Sequence, residues 1–374
     1  MQEPKGTKKS IDLLPSLRHL ELIELPNLQY IWEDNFYELS KVKNIEKLDI
    51  RQCPKLKIEY PMKVLRQLEM LTIDLRDLKE IPLKEKTTQM LELEEMETSK
   101  THLPMRIVQI LHNIEVFEVR KTFFEEVFPI ERSWDNVEEW QNERYKLSRL
   151  KLFELPKLRY LWSGGLQKNS SIVQNLMELN VLGCGILSMS VPSSMSFRNL
   201  TWLTVRKCHK MTYLLNPSVA RTLVQLRLLV LGECKRMITV IVEGVEEEND
   251  EILFNRLDSI DLRDMLKLTS FHSGKCTIRF PCLDELAIEN CPEMRDFSLG
   301  IVSTPLLLTE NIGLYSETFE ICPILEDSKE IYVSNINVTI RQVWEDHYDT
   351  NLRYLFEEEN SEDNQCDPSS HVEE

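Results

Sequence analysis

Residues 176–187, LMELNVLGCGIL, carry a spacing that two later stretches repeat: LTWLTVRKCHKM at 200–211 and LRLLVLGECKRM at 226–237. In each, apolar residues stand at the first, fourth and sixth positions, a cysteine at the ninth and an apolar residue at the twelfth. Leu179 and Val181, being two apart, leave the same face of a strand, and the residues between and just after them face the other way. The same spacing recurs at 17–28, 45–56, 147–158, 257–268 and 283–294, making eight clear copies. Weaker copies fill the gaps at Leu68-Leu71-Ile73, Leu91-Leu93 and Ile114-Phe117-Val119. Successive starts lie about 20 to 33 residues apart, close to the interval of leucine-rich repeats.

Strands repeated at that interval stack in parallel and merge their inward faces into one core. The expected fold class is therefore α/β: a leucine-rich-repeat solenoid. Parallel strands line the concave face of a curved arc, with irregular loops and short helices on the convex face. At ~4.8 Å per strand, about ten coils give an inner arc roughly 50 Å long.

The ninth position turns back into the core. Five of the nine cysteines occupy it: Cys53, Cys184, Cys208, Cys234 and Cys291. A small buried thiol suits that turn as a weak donor. Leu25, Leu155 and Met265 stand there in three other units. Further apolar positions (Ile31, Leu161, Leu214, Val240, Phe271 and Phe297) are expected to fill the convex half. Asn216-Pro217-Ser218 reads as a capped helical turn, and Met62, Leu65 and Leu68 suggest another.

The solenoid is expected over residues 1–300, with no N-terminal cap. Degenerate terminal repeats and a closing segment follow at 301–356, and an acidic disordered tail at 357–374. The spacing degrades after Gly300, where 329–333 reads as a last strand and 337–356 as the closing segment. The first unit begins at Leu17, so the array is expected to start in mid-solenoid, as a fragment of a longer protein would.

Charge and motif content bound the function. The chain has 45 basic and 62 acidic residues, a formal charge of −17; eight of those acids belong to the tail, leaving −9 over the first 356 residues. That balance disfavours nucleic-acid backbone and anionic lipid as partners. The cysteine count is odd, the N-terminus has no apolar leader, and no stretch is long and apolar enough to span a bilayer. A reducing cytoplasmic or nuclear compartment is the expectation. Phosphate-binding loops, nucleophile elbows and zinc-protease motifs are absent from the sequence. His272, Cys276, Cys282 and Cys291 come nearest to a metal cluster, but their spacing matches no zinc pattern. Cys208 and His209 are neighbours on a strand and point to opposite faces. Asp258, Asp261 and Asp264 read as solvated acids. No catalytic residue, cofactor or metal is expected, and the chain does not read as an enzyme.

The outward strand positions remain. The seventh position of each unit reads Ile23, Arg51, Asp74, Arg120, Phe153, Leu182, Arg206, Gly232, Arg263 and Glu289. Arginine and aromatic residues dominate interface energetics. Arg51, Arg120, Phe153, Leu182, Arg206 and Arg263, with Trp202 nearby, are therefore the candidate protein-binding anchors.

Leu22–Trp32 (LIELPNLQYIW) and Leu152–Trp162 (LFELPKLRYLW), alternating with Cys53-Pro54-Lys55-Leu56 and Cys291-Pro292-Glu293-Met294, carry a more specific pattern. Over residues 11–356 the chain resembles the leucine-rich-repeat region of plant intracellular nucleotide-binding disease-resistance proteins of the coiled-coil class. The stretch 344–356 also resembles the way such proteins end. The resemblance implies a protein-binding role in innate immunity, sensing a pathogen effector or guarded host protein through the concave face. It also implies a possible partner in the nucleotide-binding domain of a related receptor. The phosphate-binding loop of that family is not in this sequence, so nucleotide binding does not carry over. Two alternatives stay open: an intramolecular regulatory or decoy fragment, and a substrate-receptor arm of a ubiquitin ligase.

Overall fold

The computed structural model describes residues 17–30, 45–56, 69–74, 90–96, 114–128, 146–162, 174–187, 195–244, 251–307, 309–311, 336–338 and 340–341. Among these residues twelve strands form one continuous parallel sheet. Its order along the chain begins β1 (His19–Ile23), β2 (Lys47–Arg51), β3 (Met70–Asp74), β4 (Met90–Met96) and β5 (Val116–Thr122). It continues through β7 (Arg149–Phe153), β9 (Glu178–Leu182), β10 (Trp202–Arg206), β11 (Leu228–Gly232), β14 (Ser259–Arg263), β17 (Glu285–Glu289) and β19 (Thr309–Asn311). Every neighbour in space is the next sheet strand in sequence, as in a solenoid. The register follows the repeat: Leu203 lies beside Leu179 and Leu229, and Val205 beside Val181 and Leu231. Burial alternates accordingly, with Leu203 2% and Val205 0% exposed, while Trp202, Thr204 and Arg206 face outward. On β1, which has one neighbouring strand among the described residues, Leu20 and Leu22 are only partly buried.

The corner after each strand has its own chemistry. Glu24, Gln52, Lys121, Glu154, Lys207, Glu233, Asp264 and Asn290 all have φ between 49° and 57°, and Gly183 has φ 73°. These are one repeat position, the eighth, held in the left-handed region. For a non-glycine residue that conformation costs about 1–2 kcal/mol. The compensation is inter-coil: the N–H of Lys207 donates to Gly232 O (3.0 Å), that of Glu233 to Arg263 O (3.0 Å), and that of Asp264 to Glu289 O (3.0 Å). The left-handed residue thus turns its amide onto the next coil and sends the chain inward.

The ninth residue follows at once. Cys53 Sγ donates to Arg51 O (3.4 Å) and Leu22 O (3.3 Å), Cys234 Sγ to Gly232 O (3.4 Å) and Val205 O (3.9 Å), and Cys291 Sγ to Glu289 O (3.4 Å) and Leu262 O (3.7 Å). A tight turn then closes with the twelfth residue's amide on the ninth residue's carbonyl, as from Met237 to Cys234 (2.9 Å). Burial pushes the Cys184 and Cys291 thiols up to about 12. That of Cys208 is also raised, by a hydrogen bond with Cys234 and by burial.

Beside its loops and a short helix, the convex half carries a feature the repeat spacing did not announce. Short second strands make three further parallel sheets: β6 (Glu126–Phe128) with β8 (Tyr160–Trp162), β12 (Thr239–Ile241) with β15 (Ser270–His272), and β13 (Glu251–Leu253) with β16 (Thr277–Arg279) and β18 (Val302–Ser303). Coils in constant register bring their returning backbones side by side, and pairing satisfies amides that would otherwise be buried unpaired. The helical turn at Asn216 does form: Asn216 Oδ1 accepts from the Val219 amide (3.0 Å) at the start of α1 (Pro217–Ala220). The expected turn around Met62 lies outside the described residues, as do Ile31 and the strand expected at 329–333.

Leu161, Leu214, Val240, Phe271 and Phe297 are all buried. In the last coils the core becomes aromatic. Phe271 stacks on Phe297 (centroids 4.6 Å apart), and Phe254 on Phe280 (5.2 Å). Beyond Gly300 the parallel sheet still gains β19, paired with β17. Asn337 then meets the convex edge as a strand would. Its Oδ1 accepts from the Phe297 and Ser298 amides (2.8 and 3.1 Å), and its Nδ2 donates to Ser298 O (2.9 Å). Ile336 and Ile340 are buried beside it, and Arg341 bonds Asp296.

Candidate protein-binding face

The alternation that buries the leucines leaves three outward rows per strand, forming the concave wall. Arg51 bonds Asp49 through two nitrogens (2.8 and 2.7 Å). Arg120 pairs with Glu118 and with Glu92 (3.0 Å), and its guanidinium lies over the Phe153 ring, 4.4 Å from the centroid. Arg206 reaches Glu233 (3.1 Å), crossing Gly232, where an added Cβ would come within 3.1 Å of the Arg206 Nε. Arg263 is shared between Asp261 (2.6 Å) and Glu289 (3.1 Å). All four arginines therefore stand on the concave wall with carboxylate partners already in place. Phe153 and Leu182 are half-buried there, whereas Trp202 is 53% exposed, and Ile23 lies near the end of the wall on β1. The Asp74 side chain lies outside the described residues.

From the sequence, Asp261 reads as a solvated acid and Glu289 as an outward position, and no acid is paired with the arginines. The signal for pairing was present: Asp49-Ile50-Arg51, Glu118-Val119-Arg120 and Asp261-Leu262-Arg263 place acid and base two apart, hence on one strand face. Glu118 is the most enclosed of these acids, and burial raises its pKa above the usual carboxylate value. Arg120 and Lys151 oppose that shift, and Glu92 adds to it. Also overlooked were Leu228 and Val230, outward-facing on β11 beside Trp202 and Thr204.

The residues considered for chemistry are dispersed. His272 and Cys276 are neighbours in the convex core (Nε2 to Sγ 3.7 Å), with His272 Nδ1 on Ser298 Oγ (3.3 Å). Cys282 is exposed and bonds Asn255 O, while Cys291 is held at its corner. Among the described residues no group of three or more potential ligands could hold a metal, and no helix is long and apolar enough to cross a membrane. Cys208 Sγ points into the corner toward Arg206 O (3.5 Å), whereas His209 Nδ1 contacts Glu233 O (2.9 Å).

A family model for plant disease resistance protein RPS2-like leucine-rich repeats matches residues 2–77, 75–196 and 195–303. A probable disease resistance protein of Arabidopsis thaliana is 27% identical over 121 residues, which span 32% of this chain and 13% of that protein. Among solved structures, a leucine-rich-repeat protein of Leptospira interrogans aligns with 83% of this chain and 84% of its own, at 14% identity and a TM-score of 0.31. A plant peptide hormone receptor, RGFR1 in complex with RGF2, aligns with 74% of this chain and 60% of its own, at 13% identity and a TM-score of 0.18.

Proposed function

Because the chain belongs to the family of plant disease resistance protein RPS2-like leucine-rich repeats, we propose that it is a protein-recognition module of plant innate immunity. Its concave face contacts a pathogen effector or a guarded host protein. The observation that carries this reading is Trp202: a large aromatic side chain, 53% exposed, on the eighth of the twelve sheet strands among the described residues. The fold requires the inward apolar residues of each strand and corner; it does not require a tryptophan facing solvent. Exposed aromatic residues set among arginines are the composition of interface anchors.

The test is co-precipitation from plant extract followed by mass spectrometry. Three baits are compared: wild type, Trp202→Ala, and a variant with Arg120, Phe153, Arg206 and Arg263 all changed to alanine. Folding of each is checked by circular dichroism. The expected result is a partner held by the wild type and lost from both folded variants. Identical partner sets for all three would overturn the assignment to this face.

A further inference from the structure

The concave wall is not uniform from end to end, and its unevenness specifies the partner's chemistry. On β5, β7 and β9 charges of both signs interlock: Arg120 holds Glu118, while Arg149 and Lys151 flank Glu178 (3.7 and 3.8 Å). On β10 and β11 the outward positions are uncharged apart from Arg206. Trp202, Thr204, Leu228 and Val230 face outward, and Arg206 is folded across Gly232 toward Glu233. On β14 and β17 the balance turns acidic, with Asp261, Glu285 and Glu289 against Arg263 alone. Arg263 is already shared by two of these carboxylates, and Glu285 is exposed and takes part in no ion pair among the described residues. An apolar window thus abuts a carboxylate surplus on one side only.

From this asymmetry we infer that the occupant of the concave face is a partner segment in which a large apolar side chain is followed by basic residues. The apolar residue seats against Trp202 and Leu228, and lysine or arginine side chains reach Glu285 and Glu289. The inference rests on the reading that this face binds protein. Register fixes the spacing: Trp202, Leu228, Ser259 and Glu285 lie in one row across four adjacent strands. At ~4.8 Å per strand, the carboxylate of Glu285 is roughly 10–14 Å from the window, or about three to four residues of extended chain. Because the surplus lies on one side, the segment has a single favoured direction along the arc. Occupants of other composition fit less well. An acidic segment meets repulsion at β14 and β17, and a purely apolar one leaves those carboxylates unanswered.

The probe is a pair of fluorescent synthetic peptides, each with one leucine, a three-residue Ser-Gly-Ser spacer and two terminal charges, arginines in one and glutamates in the other. Binding is read by fluorescence anisotropy at low ionic strength. The arginine peptide should bind the wild type about tenfold more tightly than the glutamate peptide, a preference that fades in 0.5 M salt, where screening is at roughly 4 Å. Trp202→Ala should weaken the arginine peptide about tenfold. Glu285→Gln with Glu289→Gln should bring the two peptides within about twofold of each other. Asp261→Lys with Glu285→Lys should reverse the preference, and Ile238→Ala on the convex side should change nothing. Equal binding of both peptides to the wild type, or binding of neither, overturns the inference. If a plant protein is still lost from the Trp202→Ala bait while the peptides bind equally, the binding face stands and only its charge preference falls.

Discussion

Replacing Cys234 by serine should destabilise the array more than replacing it by alanine, although serine is the closer isostere. The thiol is 0% exposed, with its sulfur 3.4 Å from Gly232 O and 3.9 Å from Val205 O. Those contacts, like its thiol–thiol hydrogen bond with Cys208, are weak, so the side chain acts mainly as a small apolar group filling the corner. Alanine forfeits the burial of one heavy atom and leaves a small void, together about 1–2 kcal/mol. Serine keeps the volume but brings a hydroxyl, which wants an acceptor at about 2.7–2.8 Å. The C–O bond is shorter than C–S, so the oxygen is drawn back from both carbonyls. A buried hydroxyl with a stretched hydrogen bond costs about 1–3 kcal/mol beyond the lost sulfur contacts, giving serine a total of roughly 2–4 kcal/mol. Urea unfolding would give the rank order. A repeat array need not unfold in one step, so amide exchange on β10, β11 and β14 supplies the local measurement. Serine within about 0.5 kcal/mol of wild type, with alanine clearly worse, would show that hydrogen bonding rather than apolar filling keeps cysteine at this corner.

Gly300→Ala tests the close approach of the last coils. An added Cβ would lie 2.1 Å from Cys276 O and 2.5 Å from Lys275 O, both backbone atoms that no rotamer can move aside. A loss of about 1–3 kcal/mol is expected, with faster amide exchange in β16 and β18; unchanged exchange there would contradict the geometry. Glu118→Gln tests the enclosed acid. A raised folded-state pKa means the native state holds this proton more tightly than the unfolded chain does. The stability Glu118 contributes is therefore present below its ordinary value of 4.5 and is lost as pH rises through the higher folded value. The melting temperature of Glu118→Gln relative to wild type should rise between pH 4 and neutrality; a flat or falling difference would contradict the assigned burial.

The inner lattice was legible in the sequence because it repeats one period-two constraint many times: Leu203 and Val205 could face nowhere but inward. The corner cysteines were legible for the same reason. The left-handed row was not, since glutamate, lysine and glutamine at positions such as 154, 207 and 52 carry no preference for that conformation; inter-coil hydrogen bonds impose it. The convex strands were hidden because two- or three-residue strands such as Thr239–Ile241 show no periodicity of their own. Stacking of Phe254 on Phe280 and the return of Asn337 to Ser298 join residues 26 and 39 apart, beyond any local pattern. On the concave wall the outward placement of the arginines follows from the same period. Their carboxylate partners went unassigned and Asp261 reads as solvated, although the Asp-x-Arg and Glu-x-Arg spacings put acid and base on one strand face.

Those partners change which side chains can report on binding. Removing Arg120 strips its counter-charge from Glu118, whose side chain is 4% exposed, so the fold weakens whether or not a partner is present. Arg263 is similarly bound to Asp261 and Glu289. Loss of a partner from an arginine variant therefore mixes recognition with local stability. Trp202 is free of that ambiguity: more than half of it is exposed, and its truncation removes no buried charge and opens no cavity. If Trp202→Ala leaves the melting temperature within about 1 °C and still releases the partner, the lost energy belonged to the interface. The exposed tryptophan, rather than the arginine row, is thus the residue whose substitution separates what this wall binds from what holds it together.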